Sequence, residues 1–285
     1  MSNLDKVKEL RKISGAGFKD CNNALKETNG NIEKSIELLR VKGISKATKK
    51  MSRVANEGLI SIFTNETSSS IIEINCETDF VAKNEDFIKF CKELSELNFL
   101  CKGNLDKINN SKMANNLTVK DNLVSLISKI GEKIIIRRAK FFDNNNGFNF
   151  FYVHSAIEKN IGKIISVVKL DGIIKGKNEE IGSKIAMHIA ASNPLAIDRE
   201  GIDKKIVDKE MEIIKAEIVN SGKPDDLAEK ISKGKISKFL NDSSLLNQIW
   251  IMDPKKKVLD ILKEYSANKE IKVIDFEKYK VGEGV

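Results

Sequence analysis

The chain has 285 residues, room for two or three domains at about 100–200 residues each. Hydrophobic residues make up 41% and charged residues 32%, the balance of a globular chain and not of a disordered one. Net charge is +8; the four cysteines form no CxxC pair and the two histidines are His154 and His188, which excludes a disulfide framework and a His-rich metal site.

Residues 4–41 predict three short helices, about Leu4–Ile13, Lys19–Glu27 and Ile32–Val41. Ser14-Gly15-Ala16-Gly17 and Asn29-Gly30-Asn31 separate them, and Gly43 reads as the stop signal of the third. Lys42, Lys46, Lys49, Lys50 and Arg53 then follow with no acid among them, a local +5 over residues 42–56. This segment reads as a helical connector. Its charge fits either a solvated linker or a stripe that attracts RNA or an acidic protein face.

From Gly58 the pattern changes to strands. Leu59–Phe63 and Ser70–Cys76 read as a hairpin, the second run alternating from Ile72 onward. A helix is predicted from Asp79 to Leu100, a polar loop over 104–116, and a helix over 118–131. Strands at 133–142 and 148–154 flank Asn144-Asn145-Asn146-Gly147, a hairpin turn signal. A strand at Ile164–Leu170 leads to a helix over 178–192, ended by Pro194. Lys83-Asn84-Glu85-Asp86-Phe87 is echoed by Lys177-Asn178-Glu179-Glu180-Ile181, each opening a helix after a strand, which hints at a duplicated α+β unit. Over 203–242, Val207, Met211, Ile214 and Ile218 form a heptad-like seam, Ser221-Gly222-Lys223-Pro224 breaks the helix, and Leu227, Ile231, Phe239 and Leu240 continue it. That is a helical hairpin, lying on the core or projecting from it. A helix at 256–266 and a strand at 270–277 close the chain.

Sequence motifs for catalysis are missing. There is no P-loop, no GxSxG and no HExxH, and Gly15-Ala16-Gly17 follows no strand. Cys21, Cys76, Cys91 and Cys101 read as reduced thiols, and His188, in Ala186-Met187-His188-Ile189-Ala190, as a buried imidazole. No apolar run approaches the about 18–20 residues of a membrane helix, and the N-terminus MSNLDKVKEL lacks the apolar core of a secretory leader. These features lead to the expectation of a cytoplasmic protein.

The informative segment is Asn75-Cys76-Glu77-Thr78-Asp79-Phe80-Val81-Ala82-Lys83-Asn84. Thr78 or Asp79 is placed to cap a helix. Helical periodicity puts Phe80 on one face with Asn84, Phe87, Cys91 and Leu94, as a core residue. The other reading is an aromatic exposed at a helix tip, which fills a partner's pocket while Asp79 presents charge.

NCETDFVAKNEDF resembles a signature of the bacterial elongation factor Ts family, the guanine-nucleotide exchange factors of elongation factor Tu. VKELRKISGAGFKDCNNAL, AMHIAASNP, SGKPDDLAEKISKGKISKFL and the terminal VGEGV agree with that family in order, over nearly the whole chain. The resemblance implies an α+β fold: a ubiquitin-associated-like three-helix domain over 1–41, a basic linker helix over 42–57, and related core subdomains over 58–142 and over 143–202 with 243–285. A protruding antiparallel coiled coil would occupy 203–242. It implies that Thr78, Asp79, Phe80 and Val81 dislocate Mg²⁺ from the partner, Phe80 being the wedge. Phe18, His154, Ile251 and Met252 would be further partner-binding residues. The implied partner is elongation factor Tu, with no cofactor, no catalytic residue, no nucleotide bound directly and no membrane.

Three departures stand out. Asn22-Asn23 replace two lysines, Gln248-Ile249-Trp250-Ile251 replaces a QPFV run, and residues 155–160 replace a shorter glycine-rich link. Some members carry a further C-terminal helical module, and none is expected after Gly284-Val285. Two readings from other classes remain: an RNA- or ribosome-associated protein using the 42–56 stripe, and a peptide-binding module using the Gly17-Phe18 loop.

Overall fold

The computed structural model describes residues 2–65, 68–143, 145–220, 225–266 and 269–285, and of 219–220 and 225–228 the backbone. The sequence-predicted turn at Ser221–Pro224, the side chain of Leu227 and Asn144 lie outside the described residues. The fold is α+β. Two compact units emerge, one of residues 1–142, 153–165 and 279–285, the other of residues 143–152 and 166–278.

The first unit opens with α1 (Asn3–Ser14), α2 (Phe18–Glu27) and α3 (Ile32–Lys50). Ser2 and Asp5 form a capping box on α1, and the Asn31 side chain accepts the Lys34 N–H to start α3. Val7, Leu10, Cys21, Ala24 and Leu25 bury a small core of their own. Gly43 does not end α3, contrary to the sequence reading. A Cβ there would lie 2.9 Å from the Ser128 Oγ and 3.3 Å from a Val124 methyl, so the glycine permits close packing on a later helix, α7 (Val119–Ile130).

β1 (Glu57–Thr64) and β2 (Ser68–Cys76) pair antiparallel from Glu57 opposite Cys76 to Thr64 opposite Ser69. α5 (Glu85–Leu100) covers one face, burying Phe87, Cys91 and Leu94 against Leu59, Ile72 and Ile74. A four-residue helix, α4 (Asp79–Ala82), precedes α5 and is separate from it, because Lys83 ends α4 and the Asn84 side chain caps α5 through the N–H groups of Asp86 and Phe87. The region read as a polar loop contains α6 (Leu105–Asn110), capped by Asn104 and anchored by the buried Ile108.

β3 (Ile134–Asp143), β4 (Phe148–Glu158) and β5 (Ile161–Asp171) complete a sheet of order β3-β2-β1-β5-β4, with β6 (Lys272–Lys280) on β5. Among the described residues β3 and β4 are not neighbours in that order, and Asn144 of the expected hairpin turn lies outside them. β4 runs on to Glu158 and neighbours β5 across Lys159 and the left-handed Asn160, a tighter connection than 144–147.

In the second unit α8 (Glu180–Ser192) packs with α11 (Val258–Tyr265) around Val168, Leu170, Ile181, Ile185, Trp250 and Leu262. The echo motif thus ends in a buried residue twice, Phe87 and Ile181. α9 (Lys204–Asn220) and α10 (Asp225–Ser243) lie against each other, with Ile214 and Ile218 buried and Lys235 bonded to Glu217 at 2.5 Å.

One charge organises the first unit. The Glu73 carboxylate is fully buried and accepts from Arg137 (3.0 Å), Arg138 Nε (2.6 Å), the Asn75 amide (3.0 Å) and the Gly282 N–H (3.0 Å). Arg138 also stacks on Tyr279, and Arg137 bonds the Glu283 carbonyl. Gly282 has φ +74°, and a Cβ would stand 2.2 Å from the Asn56 carbonyl, so glycine alone lets the terminal segment lie this close. Glu73→Ala removes the carboxylate that Arg137 and Arg138 share and leaves Arg138 only the longer carboxylate contact with Glu283 at 3.9 Å. In urea denaturation of the full chain it is expected to cost about 3–5 kcal/mol.

Candidate partner-binding site

Phe80 is 81% exposed, the most exposed large apolar side chain among the described residues. The periodicity that placed it in the core assumed one continuous helix. The break at Lys83–Asn84 removes that phase relation, and Phe80 points to solvent while Val81 and Ala82 are buried. Thr78, not Asp79, is the cap: its Oγ accepts the Val81 N–H at 3.4 Å. Asp79 instead accepts from Lys83 at 2.9 Å one turn on, and this bond holds its carboxyl below the usual range. The Lys163 charge acts in the same direction.

The turn under Phe80 is braced from behind. The Cys76 thiol donates to the Thr78 carbonyl at 3.1 Å, and burial pushes that thiol up to about 12, so it stays protonated. Glu77 accepts the Lys133 N–H at 2.5 Å and both its oxygens face Arg53 at 3.3 Å. Although burial opposes it, those donors keep Glu77 below its ordinary value. Glu132 accepts from the Thr78 N–H and hydroxyl. Neither Arg53 nor Glu132 was singled out from the sequence as part of this element, because each lies 24 or more residues from its partner here.

His154 is exposed on β4, and its carbonyl faces Gly162, the residue before Lys163. Thr78–Val81, His154 and Lys163 all belong to the first unit. So does Phe18, half exposed as the first residue of α2, which Gly17 precedes without a side-chain cap. Ile251 and Met252 belong to the second unit, half exposed on a turn beside the buried Trp250.

That turn stands on His188. The Gln248 amide donates to the Ser192 carbonyl (3.1 Å) and the Asp242 carbonyl (2.7 Å), which leaves its oxygen to accept from His188 Nε2 at 2.9 Å. His188 Nδ1 then accepts the Ile251 N–H at 3.4 Å. The imidazole is fully buried and stacks on Trp250 with centroids 5.2 Å apart. Burial pushes His188 below its ordinary value near 6.5. Past Met252, Asp253 accepts the Lys255 N–H, and its own N–H donates to the Trp250 carbonyl at 3.2 Å.

The family model for elongation factor Ts matches residues 77–283. The chain is 38% identical to elongation factor Ts of Rickettsia typhi over 283 residues, 98% of this chain and 91% of that protein. It is 40% identical to that of Parvibaculum lavamentivorans, covering 98% and 92%, and 38% identical to that of Clostridium botulinum Eklund 17B, covering 100% and 94%. The chain belongs to the elongation factor Ts family. Its role is therefore in translation elongation. Among the described residues no helix is long and apolar enough to cross a membrane.

Two measurements check the geometry. Phe80→Ala is expected to change the stability of the full chain by no more than about 0.5 kcal/mol in urea, because the ring buries almost nothing. The second is pH-dependent. Below its unfolded value His188 takes up a proton in the unfolded chain and not in the folded one. Stability of the second unit is therefore expected to fall as pH drops through 6.5, by at most about 1.4 kcal/mol per unit. Trp250, the single tryptophan, reports it by fluorescence, and His188→Gln is expected to flatten the dependence.

Proposed function

We propose that the chain binds elongation factor Tu carrying GDP and speeds GDP release, with Phe80 as the wedge. The observation that carries this reading is a fully presented aromatic on a braced turn, inside the segment that matches the family. Burying one Phe side chain in a partner's pocket is worth about 1.5–3 kcal/mol. That is enough to shift helices that hold Mg²⁺ and the phosphates of the nucleotide. Mg²⁺ in the partner would neutralise phosphate charge, so displacing it would weaken a charge interaction that retains GDP. Asp79 presents negative charge beside the wedge and competes for the same cationic surroundings. Phe18, His154, Ile251 and Met252 supply further contact area.

No bond is made or broken in this scheme. The factor acts by binding nucleotide-free partner more tightly than the GDP-bound form. By linkage, GDP weakens factor binding by the same ratio. Each tenfold of that ratio is about 1.4 kcal/mol, so one aromatic accounts for one or two decades and the other contacts for the rest.

RNA binding through residues 42–56 is the weaker reading. Lys42 pairs with Glu27 (2.5 Å), Lys46 with Asp20 (2.9 Å) and Arg53 with Glu77, while Lys50 bonds the Gly131 carbonyl. Most of the local +5 is spent on partners within the chain.

The test is stopped-flow release of a fluorescent GDP analogue from cognate elongation factor Tu. The wild-type chain is expected to accelerate release strongly, Phe80→Ala to reduce the acceleration by at least about tenfold, and Asp79→Ala by less. No acceleration by the folded wild-type chain overturns the reading.

A further inference from the structure

Phe80 is 81% exposed, so little packing fixes its direction and the backbone beneath it carries that role. A helix of four residues cannot hold itself, because nucleation fixes several torsions for little hydrogen bonding. Its cap is therefore decisive. The cap is the Thr78 hydroxyl, and a hydroxyl can serve as acceptor toward Val81 in a fixed direction only when its own proton is committed elsewhere. Glu132 takes that proton: its Oε1 accepts the Thr78 hydroxyl at 2.8 Å, while Oε2 accepts the Thr78 N–H at 3.0 Å. The next residue returns the bond, since the Lys133 N–H donates to Glu77 at 2.5 Å. Residues 77–78 and 132–133 thus exchange carboxylate–amide bonds in both directions, and the Lys133 ammonium bonds the Arg53 carbonyl at 2.7 Å.

We propose that Glu132 is a positioning residue for nucleotide exchange: its two-pronged grip on Thr78 sets the direction of Phe80 before the partner arrives. The proposal rests on the wedge reading of Phe80. Without the carboxylate, Thr78 loses acceptors for two donors, the hydroxyl turns, and α4 samples several orientations. Only the fraction already aimed at the partner binds productively, and apparent affinity and exchange fall by that fraction.

The experiment is a double-mutant cycle on the full chain. Wild type, Glu132→Gln, Phe80→Ala and the double variant are compared by stopped-flow GDP release from elongation factor Tu. Glu132→Gln keeps the size of the side chain but presents at most one acceptor to two donors. It is expected to lower exchange about fivefold to tenfold in the wild-type background and by less than about twofold when Phe80 is already alanine. A purely structural role, or a direct contact of Glu132 with the partner, gives the same loss in both backgrounds and overturns the proposal. So does an unchanged rate for Glu132→Gln. If Phe80→Ala itself leaves exchange unchanged, the wedge reading falls, and the proposal with it. If Phe80→Ala is impaired and Glu132→Gln is not, the proposal alone falls. Should Glu132→Gln fail to fold, Thr78→Val, which deletes the hydroxyl, takes its place in the same cycle with an expected loss of about threefold.

Discussion

A large aromatic ring in water has to be aimed by something other than its own packing. Phe80 meets that constraint through a turn whose first residue, Thr78, is held at its amide, its hydroxyl and its carbonyl. The thiol of Cys76 holds the Thr78 carbonyl, Glu132 holds its amide, and Glu77 reaches across to Lys133. The burial that would ordinarily fix such a residue lies on either side of it, in Cys76, Val81 and Ala82. The same logic continues deeper in the unit, where Glu73 draws Arg137, Arg138 and the Gly282 amide together and so ties β2, β3 and the terminal segment to one buried charge. Removing the arginines leaves the fully buried Glu73 charge without compensation, so the contact holds these segments in one arrangement.

The elements with strong local signals were legible in the sequence. The three N-terminal helices, the β1–β2 hairpin and the paired helices after Asp203 follow from caps and apolar spacing. The errors arose where a local signal had a distant cause. Gly43 reads as a stop, yet it is glycine because α7 lies against it. Asn84 reads as one more position on a helical face, yet it caps a new helix, and that single residue moves Phe80 from core to solvent. β4 pairs with β5 across the two-residue turn at Lys159–Asn160, a neighbour that the spacing of the two runs does not announce.

Charge was the least legible property. Composition counts cations and says nothing of their partners. The run from Lys42 to Arg53 looks like a free basic stripe, but its acids lie 15 to 26 residues away, in Glu27, Asp20 and Glu77. The candidate site shows the same limit. Its motif residues, Thr78 to Val81, are contiguous and were found. Glu132, which holds Thr78, and Arg53, which holds the neighbouring Glu77, join the site through the fold, 54 and 24 residues away from their partners.

The second unit uses a related device with a different chemistry. Ile251 and Met252 stand on a turn whose amide is received by a buried histidine, and that histidine's tautomer is set by Gln248, itself fixed by two carbonyls. Each bond in the chain has one permitted proton direction. In both units the exposed apolar residues contribute little to stability, while the polar groups behind them contribute to stability and aim together. The residues behind them are tied to the fold, so a change there reaches the exposed side chain through the backbone.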